Sequence, residues 1–155
     1  MSLYDDSQPF VGAFGLVRRY EGDIEQWLVL KDDERQIFRL PEARRTGDSY
    51  RDALIDVIEA DLSLSRKSHF LTSGHARAHH QAPVEWVDTG AVVWVVVQFI
   101  IIDLYGRDAA EIIRDSGRAE WLTPEQFQTH NHVRGLDLCP RQMQLVRRAD
   151  VVSPI

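Results

Sequence analysis

LPEARRTGDSYRDALIDVIEADLSL, residues 40–64, is the stretch on which the fold turns. Pro41 stops the strand before it, because proline has no N–H to give to a ladder. The segment 41–48, with Gly47 near its end, reads as a loop. Ser49 suits a helix N-cap, and Asp52 follows three residues later, as in a capping box with Asp in place of Glu. Ala53, Leu54, Val57, Ile58 and Leu62 recur at helical spacing, which predicts a helix over 49–62 with one apolar face. Asp52, Asp56, Glu59 and the neighbouring Asp61 occupy its other side.

Towards the N-terminus, FVGAFGLV (residues 10–17) reads as a buried strand whose Gly12 and Gly15 admit a close backbone or ligand. A turn around Glu21-Gly22-Asp23 leads to a second strand, WLVL, at 27–30. The charged turn 31–35 and a short strand at 37–40 complete this half.

Towards the C-terminus, strands are predicted at 69–72, 84–87, 91–104 and 119–122. The segment 74–83 (GHARAHHQAP) reads as irregular and histidine-rich, and 105–117 mostly as loop with some helix. Thr123-Pro124-Glu125 opens a helix that runs to about His130, with Thr as N-cap and Pro at the first helical position. Pro140 to Ala149 is the final helix. There is no repeat and no linker, so one domain is expected over 1–155. Strands on both sides of a helix indicate a mixed α/β domain.

Composition narrows the function classes. The chain has 155 residues, 18 Lys+Arg against 24 Asp+Glu, and a formal net charge of -6. Such a balance disfavours extended nucleic acid as a partner, since phosphate backbones attract basic surfaces. It leaves room for a small anion at a local basic patch or a metal. Only two of the 18 basic residues are lysine, Lys31 and Lys67, a bias typical of GC-rich bacterial genomes. The single Cys139 cannot pair within the chain, which fits a reducing cytoplasm. The start MSLYDDSQPF lacks a basic region followed by an apolar core, so it does not read as a secretory leader. The most apolar run, 91–102, is shorter than the roughly 20 residues of a membrane span.

The stretch quoted first resembles the signature region of the Nudix family. Leu40-Pro41 matches the Leu-Pro that opens that signature. Gly47-Asp48-Ser49 matches its Gly-Glu-Ser with Asp for Glu, Ile58 its apolar position within the acidic cluster, and Leu64 its closing apolar residue. Downstream, AEWLTPEQF (residues 119–127) resembles the strand and Pro-Glu helix start found late in that fold. The resemblance implies an α/β (α+β) fold, a Nudix-like α/β/α sandwich with a mixed sheet between helices.

The resemblance also implies chemistry. Nudix hydrolases cleave nucleoside diphosphate-linked substrates, with helix glutamates holding Mg²⁺ or Mn²⁺ that neutralises the diphosphate and activates water. Here the loop is one residue short. With Asp48 anchored, the signature glutamates fall on Val57, Ala60 and Asp61. The catalytic and metal-facing candidates are therefore Asp48 and Asp61, with Asp52, Asp56 and Glu59, at i, i+4 and i+7, as an alternative cluster. Arg39, Arg44 and Arg45 are the candidates for substrate phosphate, through forked hydrogen bonds.

Two functions stay open. One is a hydrolase whose metal-dependent activity is impaired or lost with the missing glutamates. The other is a non-catalytic module that binds a nucleotide or a partner and calls on no cofactor. Both take a small phosphorylated ligand and no membrane, and the family's habit makes a homodimer an expectation. His75, His79 and His80 read as a surface cluster rather than a zinc site. His130 and His132 carry no distinguishing signal. Cys139 reads as structural, and Trp27, Trp86, Trp94 and Trp121 as core.

Overall fold

In the computed structural model, residues 6–45 and 47–152 are described. The strands are β1 (Phe10–Glu21), β2 (Ile24–Asp32), β3 (Ile37–Arg39), β4 (Glu42–Arg44), β5 (Phe70–Thr72), β6 (Ala78–Glu85), β7 (Val92–Leu104), β8 (Ala119–Leu122), β9 (His132–Val133) and β10 (Leu136–Leu138). The helices are α1 (Tyr50–Leu62), α2 (Arg107–Asp115), α3 (Pro124–Thr129) and α4 (Pro140–Ala149). Among the described residues the strands join one mixed sheet. β1 runs parallel to β7 and antiparallel to β2 and β4, while β3 runs parallel to β10.

The sheet separates two cores because strand side chains alternate between faces. Phe14 and Leu16 of β1, Trp27 and Val29 of β2, and Val95, Val97 and Phe99 of β7 face one side. There they pack with Phe127 of α3 and Met143, Leu145 and Val146 of α4. Ala13 and Val17, Leu28 and Leu30, and Ile100 and Ile102 face the other, against Leu54, Ile55, Ile58 and Leu62 of α1 and Ala109 and Ile113 of α2. This is the expected sandwich of helices on both faces of a mixed sheet.

The local chemistry of α1 follows its sequence. Ser49 is the N-cap, and its hydroxyl accepts from the Asp52 N–H at 3.0 Å. Thr123 and Gln126 form a full capping box at α3, with Pro124 in the first turn. The two glycines of β1 also act as read. A Cβ on Gly12 would stand 2.4 Å from the Ala43 carbonyl oxygen of β4, and one on Gly15 would touch Leu54 and Ile58 of α1. They let strand and helix close on β1.

Several expectations need correction. The segment 41–48 is not all loop: β4 resumes after Pro41 and pairs with β1, and the Gly15 N–H donates to the Pro41 carbonyl at 2.8 Å. The histidine-rich stretch is largely the strand β6, paired with β7 from Ala78 to Glu85. Pro83 is tolerated because β6 lies at a sheet edge. The loop predicted over 105–117 contains α2, whose Ala109 and Ile113 are anchored in the α1-side core. Of the tryptophans, Trp27 and Trp86 are core, but Trp94 is 44% exposed and Trp121 is half-buried under Arg19, 4.4 Å from its ring.

Candidate functional site

Asp48 and Asp61 sit at opposite ends of α1. The eleven steps from Tyr50 to Asp61, at about 1.5 Å rise each, span roughly 16 Å along the axis, and Asp48 precedes the N-cap, so the two carboxylates are too far apart to share an ion. The pair therefore does not assemble as a metal site. Asp48 is exposed ahead of the N-cap. Asp61 faces the sheet, where its Oδ2 lies 3.7 Å from Nη1 of Arg39.

Arg39 also binds Asp32, with Nε 3.1 Å from Oδ2. Asp32 is 7% exposed and ends β2. The backbone N–H groups of Glu34 and Arg35 donate to its Oδ1 at 3.1 Å each, and Nη1 of Arg35 to its Oδ2 at 2.8 Å. Burial by itself pushes this carboxyl up. The Arg35 and Arg39 donors outweigh burial and hold it below the usual carboxylate range. Arg39 is therefore held between two carboxylates.

The alternative cluster is also taken by an arginine. Arg66, just beyond α1, donates through Nη2 to Asp56 at 2.7 Å and through Nε to Glu59 at 2.9 Å; its Nη2 also contacts Glu59. Its backbone N–H closes on the other Glu59 oxygen at 3.0 Å. These bonds hold the Glu59 carboxyl below its ordinary value. Asp52 stays in the first turn, exposed. Among the described residues, no three His, Cys, Asp or Glu side chains come together to hold a metal ion. The two carboxylates that do converge, Asp56 and Glu59, meet on the Arg66 guanidinium, so Mg²⁺ or Mn²⁺ would have to displace Arg66 to bind them.

Arg44 and Arg45 diverge. They are consecutive on an extended chain, so their side chains leave on opposite faces. Arg44 lies over Phe10, 4.7 Å from its ring, and Arg45 over Tyr50, 5.3 Å from its ring. Only Arg45 is on the α1 side. There Tyr50 also meets His79 edge to face, with centroids 6.2 Å apart, and the His79 ring pairs with Gln98 at 3.2 Å. Arg45, Tyr50, His79 and Gln98 thus form a partly exposed aromatic and cationic cluster beside the N-terminus of α1, with Arg45 and His79 exposed and Tyr50 and Gln98 half-buried.

The remaining histidines do not join it. His80 alternates to the far face of β6, half-buried. Burial, then Arg148 and His79, lowers its pKa, and its Nε2 finds no hydrogen-bond partner among the described residues. His75 and His130 are exposed, and His132 pairs with Asp137 across a hairpin at 2.6 Å. Cys139 is buried at the start of α4. Sequence reasoning missed Gln142, which is fully buried on α4. Its Oε1 accepts from the Leu40 N–H at 2.7 Å, and its Nε2 donates to the Leu40 carbonyl at 3.2 Å and to Glu42 at 3.1 Å. It fastens the segment before α1 to the opposite helix layer.

No family model matches the chain, and no curated protein matches it in sequence. Solved structures do match. The Nudix hydrolase RenU from M. smegmatis superposes with a TM-score of 0.54 at 17% identity, over 96% of this chain and 90% of that one. The C. elegans Ap4A hydrolase gives 0.51 at 14% identity, over 77% and 83%. The fold is the Nudix fold. The NUDIX domain of Shewanella oneidensis NrtR, complexed with ADP ribose, matches at 0.50 with 8% identity, over 96% and 92%.

Within this Nudix fold, α1 is the helix on which the resembling family collects its metal-binding glutamates. Here three of its four acids are paired with arginine, Asp61 with Arg39 from the sheet and Asp56 and Glu59 with Arg66 from the following loop. A guanidinium satisfies carboxylates by charge and by fixed N–H geometry, and it has no vacant coordination position to offer to water or phosphate. The arrangement suits recognition by cationic and aromatic groups.

Proposed function

We propose that this protein is a Nudix-fold module that binds a phosphorylated small molecule of the nucleotide class without metal-dependent hydrolysis. The observation that carries this reading is the capture of Asp61 by Arg39 and of Asp56 and Glu59 by Arg66. Carboxylates already paired with guanidinium bind a divalent ion only after losing those bonds. Arg45 is the phosphate-facing cation in this reading, and Tyr50 with His79 is the surface on which a base or ribose rests. Such a cation beside exposed aromatic edges recognises a charged phosphate and a flat apolar body together. The ADP-ribose complex of the NrtR domain supports the ligand class at the level of fold. The excess of acids supports a small ligand over extended nucleic acid.

Calorimetric titration with ADP-ribose, with Mg²⁺ and then with excess chelator, tests the proposal alongside a product assay. The expected result is saturable binding of equal affinity in both buffers and no release of AMP. Arg45→Ala and Tyr50→Ala should each weaken binding about tenfold, as loss of a charge-assisted contact of roughly 1.4 kcal/mol does. Magnesium-dependent product that disappears in Asp61→Asn overturns it in favour of the hydrolase.

A further inference from the structure

On the sheet face opposite α1, a cavity of about 280 Å³ opens between the ends of β2, β3, β8 and β10. Phe38 and Leu136, from the α4-side core, form its apolar floor. Lys31, Arg118, Arg134 and Glu120 line its walls. Lys31 pairs with Asp33 at 3.4 Å and Arg134 with Glu120, which leaves Arg118 as the cavity cation with no carboxylate partner among the described residues. No residue of α1 contributes.

Arg118 is held but not neutralised. Its Nε donates to the Lys31 carbonyl at 3.2 Å, while the Lys31 N–H donates to the Arg118 carbonyl at 2.8 Å. Among the described residues no carboxylate pairs with its guanidinium. The side chain is therefore fixed in direction with both terminal nitrogens unclaimed by an acid. Oxyanions accept two parallel bonds from such a fork.

Arg134 adds a second observation. Arg134 and Gly135 are the two residues of the tight β9–β10 turn, at φ 51° and 82°. Two positive φ values mark a turn that favours Asn and Gly, so arginine at the first position is there at a conformational cost. The turn places its Nη1 2.6 Å from Oε1 of Glu120 at the cavity wall.

We propose that this cavity is a second site, for a small organic oxyanion, a phosphate monoester or carboxylate with a short apolar body. Arg118 holds the anion, with Lys31 beside it on the cavity wall and balanced by Asp33. Phe38 and Leu136 pack the apolar part, and Arg134 exchanges Glu120 for the ligand. The volume is just under the usual range for ligand pockets, so it admits a phenyl-sized molecule and not a dinucleotide.

Amide-resolved NMR titration with phenyl phosphate, benzoate and the neutral benzyl alcohol tests this assignment. Saturable shifts at the Gly117, Arg118 and Gly135 amides with an anion, and none with benzyl alcohol, are expected. The stronger of the two anions identifies the headgroup. Arg118→Gln should weaken binding at least tenfold and Arg134→Ala less, and the same spectra show that each variant is folded. Absence of saturable shifts up to about 10 mM, where even millimolar sites fill, overturns the proposal. So do unchanged shifts in Arg118→Gln, or shifts confined to the Tyr50 and His79 region.

Discussion

Arg39 of β3 and Asp61 of α1 lie 3.7 Å apart, and the same guanidinium reaches the buried Asp32 at 3.1 Å. One cation thus ties the end of β2 to the last turn of the helix that would otherwise present a metal ligand. Arg39→Ala leaves the buried Asp32 with Arg35 as its remaining guanidinium partner. A loss of about 2 kcal/mol of unfolding free energy is expected, since a buried carboxylate loses one of its charge-assisted hydrogen bonds. Arg39→Lys should recover part of it, because an ammonium cannot span two carboxylates with fixed geometry. Urea denaturation measures both; a change under about 0.5 kcal/mol for Arg39→Ala, the size of an ordinary surface substitution, would show that the pair is incidental.

Asp32 also predicts an acid limb. Its folded carboxyl titrates below its unfolded value of about 3.9. The unfolded state therefore binds the proton first. The stabilisation is fully present above about pH 4 and is lost as pH falls through the folded value. Asp32→Asn should be less stable than the parent at pH 7, and the difference should shrink towards pH 3. A constant gap across that range in chemical denaturation would contradict this.

His80 acts in a higher window. Burial lowers its folded pKa, so the unfolded chain takes the proton first, near pH 6.5. Stability is full above that value and declines as pH falls through the window down to the folded pKa. His80→Gln should flatten the dependence of melting temperature on pH between about 5 and 7.

Gln142 holds both backbone polar groups of Leu40. Gln142→Leu keeps the volume and removes the partners, leaving a buried N–H and carbonyl unmet at a cost of about 2–3 kcal/mol. Because Leu40 leads into β4 and α1, the same variant should speed amide exchange of Gly15, which donates to Pro41. Exchange at Gly15 identical to the parent would separate the two contacts.

Much of the fold was legible in local chemistry. Ser49 and Thr123 cap as their sequence neighbours predict, and the apolar spacing of α1 marks the face that packs. β6 was not legible, since GHARAHHQAP has turn residues and no clean alternation. It becomes a strand because β7 beside it offers a long row of partners, and pairing outweighs weak local preference. α2 was similarly hidden: two core anchors, Ala109 and Ile113, decide it.

The sequence by itself determined a resemblance to the Nudix signature in which most positions of its glutamates carry other residues, because spacing along one helix needs no knowledge of the rest. Only the tertiary structure decided what became of the remaining acids. Arg39 precedes Asp61 by 22 residues, Arg66 follows from a loop, and Gln142 comes from the opposite layer. Ion pairs and hydrogen bonds act over a few ångströms, and chain separation does not report distances on that scale until the sheet has brought the segments together.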